Sequence, residues 1–383
     1  MTAVVKMKKV LSIFGTRPEA IKMAPVVKEL ERYPDSIVSR VCVTAQHREM
    51  LDQVLGLFDI TPDYDLDLML PNQTLSALTA RVFSELDSVI ETERPDWVLV
   101  QGDTTTVMAA SLVAFYHRVK VGHVEAGLRT HDKWQPFPEE INRRVAGVVA
   151  DLHFAPTETA KANLLREGVN AAAIHVTGNP VIDALKMVAG MAYDVQTGPL
   201  AGIPWNKRII LVTAHRRENF GQPLENICAA LREIAMQYAD EVQIVYPVHL
   251  NPHVQEPVYR LLGNIPNITL LPPLDYLPMV QLMKRCTLVL TDSGGIQEEA
   301  PGLGKPVLVL RETTERPEAV AAGTVRLVGT DTVAIVDKTQ QLLENAAEYE
   351  EMACAVNPFG DGRAAERIVD TLLRGVNVEA SID

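Results

Sequence analysis

Short, mostly apolar runs rich in β-branched residues recur along this chain, with helix-compatible sequence between them. Val10 to Phe14, Val38 to Thr44, Trp97 to Val100, Val119 to Val124 and Leu152 to Ala155 form a first set. Runs of this kind suit the strands of a parallel sheet covered by helices on both faces. After Pro204 the rhythm restarts with Ile209 to Thr213, Val242 to Tyr246, Ile268 to Leu271, Thr287 to Thr291 and Pro306 to Leu310. The pattern predicts an α/β chain of two doubly wound, Rossmann-like domains. The changeover is expected between Thr177 and Pro204, where Gly190, Gly198, Pro199, Gly202 and Pro204 loosen the chain. No residue-level repeat links the halves. Ala364 to Arg374 reads as an amphipathic helix with Ile368, Val369, Leu372 and Leu373 on one side, and Gly375 as its stop.

Composition narrows the class. The 383 residues suit about two domains. At 47% hydrophobic and 22% charged, the chain can bury full cores. A net charge of −13 argues against a groove that grips nucleic-acid phosphates, so an anionic ligand must be held by a few placed cations and helix ends. Cys42, Cys228, Cys286 and Cys354 are far apart and form no CxxC, which points away from a disulfide framework or a zinc site. Lys6, Lys8 and Lys9 are followed by no apolar signal core, and no apolar run reaches the ~18 residues of a membrane helix. A cytoplasmic protein, bound to neither membrane nor nucleic acid, is expected.

The polar and Gly-rich residues fall just after the predicted strands, where open α/β sheets bind ligands. Phe14 leads to Gly15-Thr16-Arg17-Pro18-Glu19, Val100 to Gln101-Gly102-Asp103-Thr104, and Val124 to Glu125-Ala126-Gly127. In the second half Thr213 leads to His215-Arg216-Arg217-Glu218, and Thr291 to Asp292-Ser293-Gly294-Gly295. Ser293-Gly294-Gly295 opens a predicted helix, where free N–H groups and the helix dipole favour a diphosphate. Arg17, His215 and Arg316 are the expected cationic side of that clamp. Read singly, the turn could be a plain Ser-capped helix start and each Arg a solvated surface charge.

Two nucleotide signatures are missing. No GxGxxG follows the first strand and Val43-Thr44-Ala45-Gln46 supplies no ribose carboxylate, which argues against a dinucleotide dehydrogenase. Gly302-Leu303-Gly304-Lys305-Pro306 has Pro where a Walker loop needs Ser or Thr. Asp103, Glu125 and Glu139 form a set of carboxylates suited to acid/base work, with helix capping or solvation as the alternative for each. Arg143, four residues after Glu139, should share its helical face. His249 and His253 are spaced like metal ligands, but Asn251-Pro252 between them breaks a helix.

Phe14-Gly15-Thr16-Arg17-Pro18-Glu19-Ala20-Ile21-Lys22 resembles the opening of the non-hydrolysing UDP-N-acetylglucosamine 2-epimerases. So do Gly102-Asp103-Thr104-Thr105-Thr106, Gly122-His123-Val124-Glu125-Ala126-Gly127-Leu128-Arg129 and His215-Arg216-Arg217-Glu218. Asp292 to Glu299 and Thr313-Thr314-Glu315-Arg316-Pro317-Glu318 complete an ordered set that spans nearly the whole chain. The resemblance implies a GT-B-type fold with the active site between two domains. Residues 1–180 plus a returning helix, 362–383, would form one domain and 181–361 the UDP-binding one. It implies a homodimer that interconverts UDP-N-acetylglucosamine and UDP-N-acetylmannosamine without a cofactor or metal, supplying a cell-surface polysaccharide.

By the same likeness Lys22, Asp103, Glu125, Glu139, Arg143 and His215 are catalytic, with Arg17 in the same cleft. Ser293, Gly294, Gly295, Glu299 and Arg316 would hold UDP, with Glu299 on the ribose. Gln46, Gln73 and His249 are candidates for a second, activating molecule of UDP-N-acetylglucosamine. The family often has an aromatic residue after Tyr-Leu-Pro and a polar one nearby, beside the uracil; this chain has Met279 and Leu274. Met can still lie on a ring through its thioether. The alternatives are a UDP-sugar glycosyltransferase of the same fold, a hydrolysing epimerase, and a non-catalytic nucleotide-sugar binder.

Overall fold

A computed structural model of the chain describes residues 7–44, 48–69 and 73–379. Its contacts divide it into two compact units, one reaching Ala184 and resuming at Phe359, the other Leu185–Pro358. The first unit begins β1 (Lys8–Phe14), α1 (Arg17–Leu30), β2 (Ile37–Val43), α2 (Arg48–Leu57), β3 (Tyr64–Asp65) and α3 (Leu75–Glu93). It continues β4 (Trp97–Gln101), α4 (Thr105–Tyr116), β5 (Lys120–Val124), α5 (Glu139–Val149), β6 (Leu152–Ala155), α6 (Glu158–Arg166), β7 (Ile174–Val176) and α7 (Pro180–Ala189). These strands form one parallel sheet in the order β3-β2-β1-β4-β5-β6-β7. The central strands are shielded on both faces, which is why β1 from Val10 and β4 read as mostly apolar runs without alternation.

The second unit repeats the plan. It runs β8 (Arg208–Thr213), α8 (Gln222–Gln237), β9 (Val242–Pro247), α9 (Pro252–Leu262), β10 (Ile268–Leu271), α10 (Tyr276–Arg285) and β11 (Leu288–Thr291). Then follow α11 (Gly294–Gly302), β12 (Val307–Val309), α12 (Pro317–Ala321), β13 (Val325–Leu327), α13 (Thr332–Glu344) and α14 (Ala346–Ala353). Its parallel sheet has the order β10-β9-β8-β11-β12-β13. Both units are therefore Rossmann-like. Strand order reverses between β1 and β4 and again between β8 and β11, and a crevice opens at such a point beyond the strand ends.

β3, β7 and β13 are two or three residues long and carried no apolar run for the sequence to show. The units part at Ala184/Leu185, inside α7 and ahead of the Gly/Pro-rich stretch. The second half of α7 is tied down: Gln281 Nε2 donates to Val188 O at 3.0 Å and Lys284 Nζ to Ala189 O at 2.8 Å.

The final helix, α15 (Ala364–Glu379), belongs to the first unit and packs on α1. Asp183 of α7 caps it, accepting the N–H groups of Ala364 at 3.2 Å and Ala365 at 2.9 Å. Burial pushes the Asp183 carboxyl up, against those hydrogen bonds. Ile368, Val369 and Leu372 form its buried seam. Gly375 does not stop the helix, contrary to the sequence reading. Glycine ends a helix only where the chain turns left-handed; inside one it costs about 1 kcal/mol relative to Ala, which a packed seam offsets. Ile368→Ala should lower the unfolding free energy by about 2–5 kcal/mol, read by urea titration at unchanged m.

Candidate functional site

In the first unit the site starts where β1 meets α1. Gly15 is required there: a Cβ would lie 2.0 Å from Thr44 Oγ1. Thr16 caps α1, and Arg17, half-buried, begins it and makes no ion pair among the described residues. Further along α1, Lys22 Nζ lies 2.7 and 2.8 Å from the two carboxylate oxygens of Glu125. Glu125 follows β5 with φ +62°, a left-handed conformation that costs a non-Gly residue about 1–3 kcal/mol. That strain is held by partners on every side. Gln101 Nε2 donates to Oε2, Asn179 Nδ2 donates to Oε1 at 2.8 Å, and Gly102 (φ +82°) would bring a Cβ within 3.7 Å of Oε2. Asn179 escaped the sequence reading, and Gln101, though it lies in a quoted strand-end motif, was not selected.

Asp103 stands on the next turn, after β4. Its side chain pairs with Arg143, and its carbonyl accepts from Asn142 Nδ2 at 3.0 Å. Arg143 also reaches Glu140 at 3.3 Å. Among the described residues Arg143 makes no ion pair with Glu139, the residue whose helical face it was expected to share. Glu140, fully buried, instead holds the loop before α5, accepting the Thr130 N–H at 3.1 Å. Glu139 opens α5, and its Oε2 is shielded from solvent without a hydrogen-bond partner among the described residues. Two carboxylates after adjacent strands, Asp103 and Glu125, are thus each paired with a cation from a helix, Arg143 on α5 and Lys22 on α1.

In the second unit the corresponding crevice is built from the turns after β8 and β11. Asp292, buried, accepts the N–H groups of His215 and Arg216 at 2.8 Å each and Asn219 Nδ2 at 3.0 Å. His215 Nδ1 lies 3.6 Å from the other oxygen, and its ring stacks on His249 at 5.3 Å and 8°. Burial lowers the His215 pKa; Asp292 opposes this, while His249 and Arg216 add to it. His215 was expected to be a cation. Desolvation instead favours the neutral imidazole, a hydrogen-bond donor rather than a full charge.

The positive charge comes from arginine. A Cβ on Gly294 would lie 3.5 Å from Arg216 Nη2 and 3.9 Å from Arg316 Nη2, so two guanidinium groups flank the opening of α11. Arg316 is steadied by Glu298 through its Nε. Arg216 went unselected although it lies in a quoted motif. Ser293 caps α11 without a side-chain hydrogen bond, and Gly295 has open space beside it. Such a helix start, with two arginines, is chemically suited to an anion.

Beyond it, Glu299 is buried and accepts the Tyr276 hydroxyl at 2.7 Å. Leu274 is buried and Met279, on α10, half-buried. Of the candidates for a second ligand, Gln46 lies outside the described residues. Gln73, in the first unit, has its Nε2 3.0 Å from Met69 Sδ, and His249, in the second, stacks as above.

Known proteins are similar to this chain over nearly its full length. A family model described as UDP-N-acetylglucosamine 2-epimerase matches residues 28–373. The UDP-N-acetylglucosamine 2-epimerase of Escherichia coli K12 is 57% identical over 370 residues, covering 95% of this chain and 98% of the relative. That of Salmonella typhimurium is 58% identical over the same length and coverage. The crystal structure of UDP-GlcNAc 2-epimerase from Neisseria meningitidis bound to UDP-GlcNAc is 52% identical with a TM-score of 0.85, covering 96% of this chain and 100% of that one. The Methanocaldococcus jannaschii UDP-GlcNAc 2-epimerase in complex with UDP-GlcNAc and UDP is 35% identical with a TM-score of 0.77, covering 96% and 100%. A glycosyltransferase of kitacinnamycin, 12% identical with a TM-score of 0.62, shares the fold alone. With these matches spanning nearly its full length, the chain belongs to the UDP-N-acetylglucosamine 2-epimerase family.

Proposed function

We propose that the chain interconverts UDP-N-acetylglucosamine and UDP-N-acetylmannosamine without releasing free sugar, by anti elimination and re-addition of UDP. The C2 proton of this sugar is not flanked by a carbonyl and is barely acidic. Breaking the C1–O bond first sends its electron pair out with UDP and builds positive charge on the ring. C2–H then becomes acidic, and its electron pair closes a C1–C2 double bond as the proton leaves. The bound 2-acetamidoglucal takes UDP back at C1 and a proton on the opposite face of C2, giving the epimer.

The observation that carries this reading is the pairing of Glu125 with Lys22 and of Asp103 with Arg143 after the adjacent strands β5 and β4, with Glu139 opening the helix that carries Arg143. Asp103, oriented by Arg143, serves as base on one face of C2 and Glu139 on the other. Glu125, fixed by Lys22, faces the ring cation. Arg17, Arg216, Arg316, His215 and the Ser293-Gly294-Gly295 turn stabilise the departing diphosphate. Glu299 holds the ribose, and Leu274 and Met279 lie against uracil. No cofactor or metal enters the scheme. A homodimer, activation by a second UDP-N-acetylglucosamine near Gln46, Gln73 and His249, and supply of a cell-surface polysaccharide in the cytoplasm are part of the same proposal.

Incubation with UDP-N-acetylglucosamine alone in D2O, followed by NMR, should place deuterium at C2 of both nucleotide sugars. Persistent C2–H would overturn the reading, whereas stoichiometric free N-acetylmannosamine would mark a hydrolysing enzyme. Asp103→Asn should keep UDP affinity and lose turnover by about 100-fold or more, the scale of acid/base catalysis; unchanged kcat would remove Asp103 from the chemistry.

A further inference from the structure

Glu19 is buried at 2% exposure, and the chemistry above does not use it. Within the Thr16–Glu19 capping box a single carboxylate oxygen is enough. Oε2 fills that role, accepting the N–H groups of Gly15 at 3.1 Å and Thr16 at 2.7 Å. Oε1 does something the box does not ask for. It accepts the Thr104 hydroxyl at 2.7 Å, from the turn after β4, 85 residues along the chain. Thr104 Oγ1 in turn accepts the Val107 N–H at 3.3 Å and caps α4. One carboxylate therefore joins the turn that carries Arg17 to the turn that carries Asp103. Burial pushes the Glu19 carboxyl up, and its hydrogen bonds from Thr104, Thr16 and Gly15 pull it back.

The rest of the Asp103 turn is gripped in the same manner. The Gly102 carbonyl accepts from His123 Nε2 at 2.7 Å. Burial lowers the His123 pKa to about 4, so the ring is neutral and a fixed donor. The Asp103 carbonyl is held by Asn142, as described. Three consecutive residues are thus each fixed by a side chain from a different element: β5, α5 and α1. A helix cap alone would leave Thr104 free of the first turn.

We propose that Glu19 is a positioning residue: through Thr104 it locks the Asp103 turn to the Arg17 turn across β1 and β4. The base and the cation that receives the diphosphate then keep a fixed separation. This rests on the reading of Asp103 as a base. A shift of about 1 Å in a reacting group can cost ~100-fold in rate.

The test compares Thr104→Val, Thr104→Ser and Glu19→Gln in the full chain, by kcat, KM, UDP affinity and thermal unfolding. Thr104→Val breaks the bridge and should lower kcat by at least about tenfold while UDP affinity stays within about twofold; Thr104→Ala carries the same expectation should Val not fold. Thr104→Ser keeps the hydroxyl and should restore the rate. Glu19→Gln keeps an oxygen for the two N–H groups and turns its NH2 on Thr104, so kcat should fall less than in Thr104→Val. A Thr104→Val chain that only melts earlier, with kcat retained, overturns the proposal, as does a Glu19→Gln loss larger than that of Thr104→Val. Absence of C2 deuterium in the wild type overturns the functional reading itself; wild-type exchange with an unimpaired Thr104→Val overturns the positioning role alone.

Discussion

Where strand order reverses in a parallel sheet, two neighbouring strands send their chains to opposite faces, and their first turns stand side by side with N–H groups unclaimed by any ladder. Left bare in a partly dry crevice, those groups carry a desolvation cost. Each unit answers with one buried acid. In the first, Glu19 gathers Gly15, Thr16 and Thr104; in the second, Asp292 gathers His215, Arg216 and Asn219. The site depends on this, because Arg17 and Asp103 ride on the first pair of turns, and His215, Arg216 and Ser293 on the second.

The two crevices differ in what they leave open. The first is rich in acids already engaged by cations: Glu125 with Lys22, Asp103 with Arg143. The second is rich in donors: a helix opening flanked by Arg216 and Arg316, and an imidazole whose basicity desolvation lowers. Acids suit a proton and a ring cation; donors suit a diphosphate. Division of labour follows from which charges each fold plan can desolvate and still pair.

Much of this was legible in the sequence because strand ends mark where chemistry can sit. Strands with several apolar residues were visible; β3, β7 and β13 were not, since their pairing comes from a neighbour's register rather than their own pattern. Polar residues in Gly-rich turns, such as Asp103 and Ser293, could be placed after strands from the sequence, and the structure has them there. Gln101, Asn179 and Arg216 were not singled out, because an amide or one arginine among several gains meaning only when a distant carboxylate or glycine is brought against it. The lowered basicity of His215 was not legible for a related reason: burial is a property of the fold. Gly375 misled because a glycine stops a helix only where packing lets the chain turn.

The place of α15 has a further consequence. It is synthesised after the whole of the second unit, yet it covers α1 and is capped by Asp183 of the first. The second unit is in effect an insertion into the first. During translation the amino-terminal sheet must wait with the groove along α1 bare until the last helix leaves the ribosome. The half that emerges first is the half that is finished last.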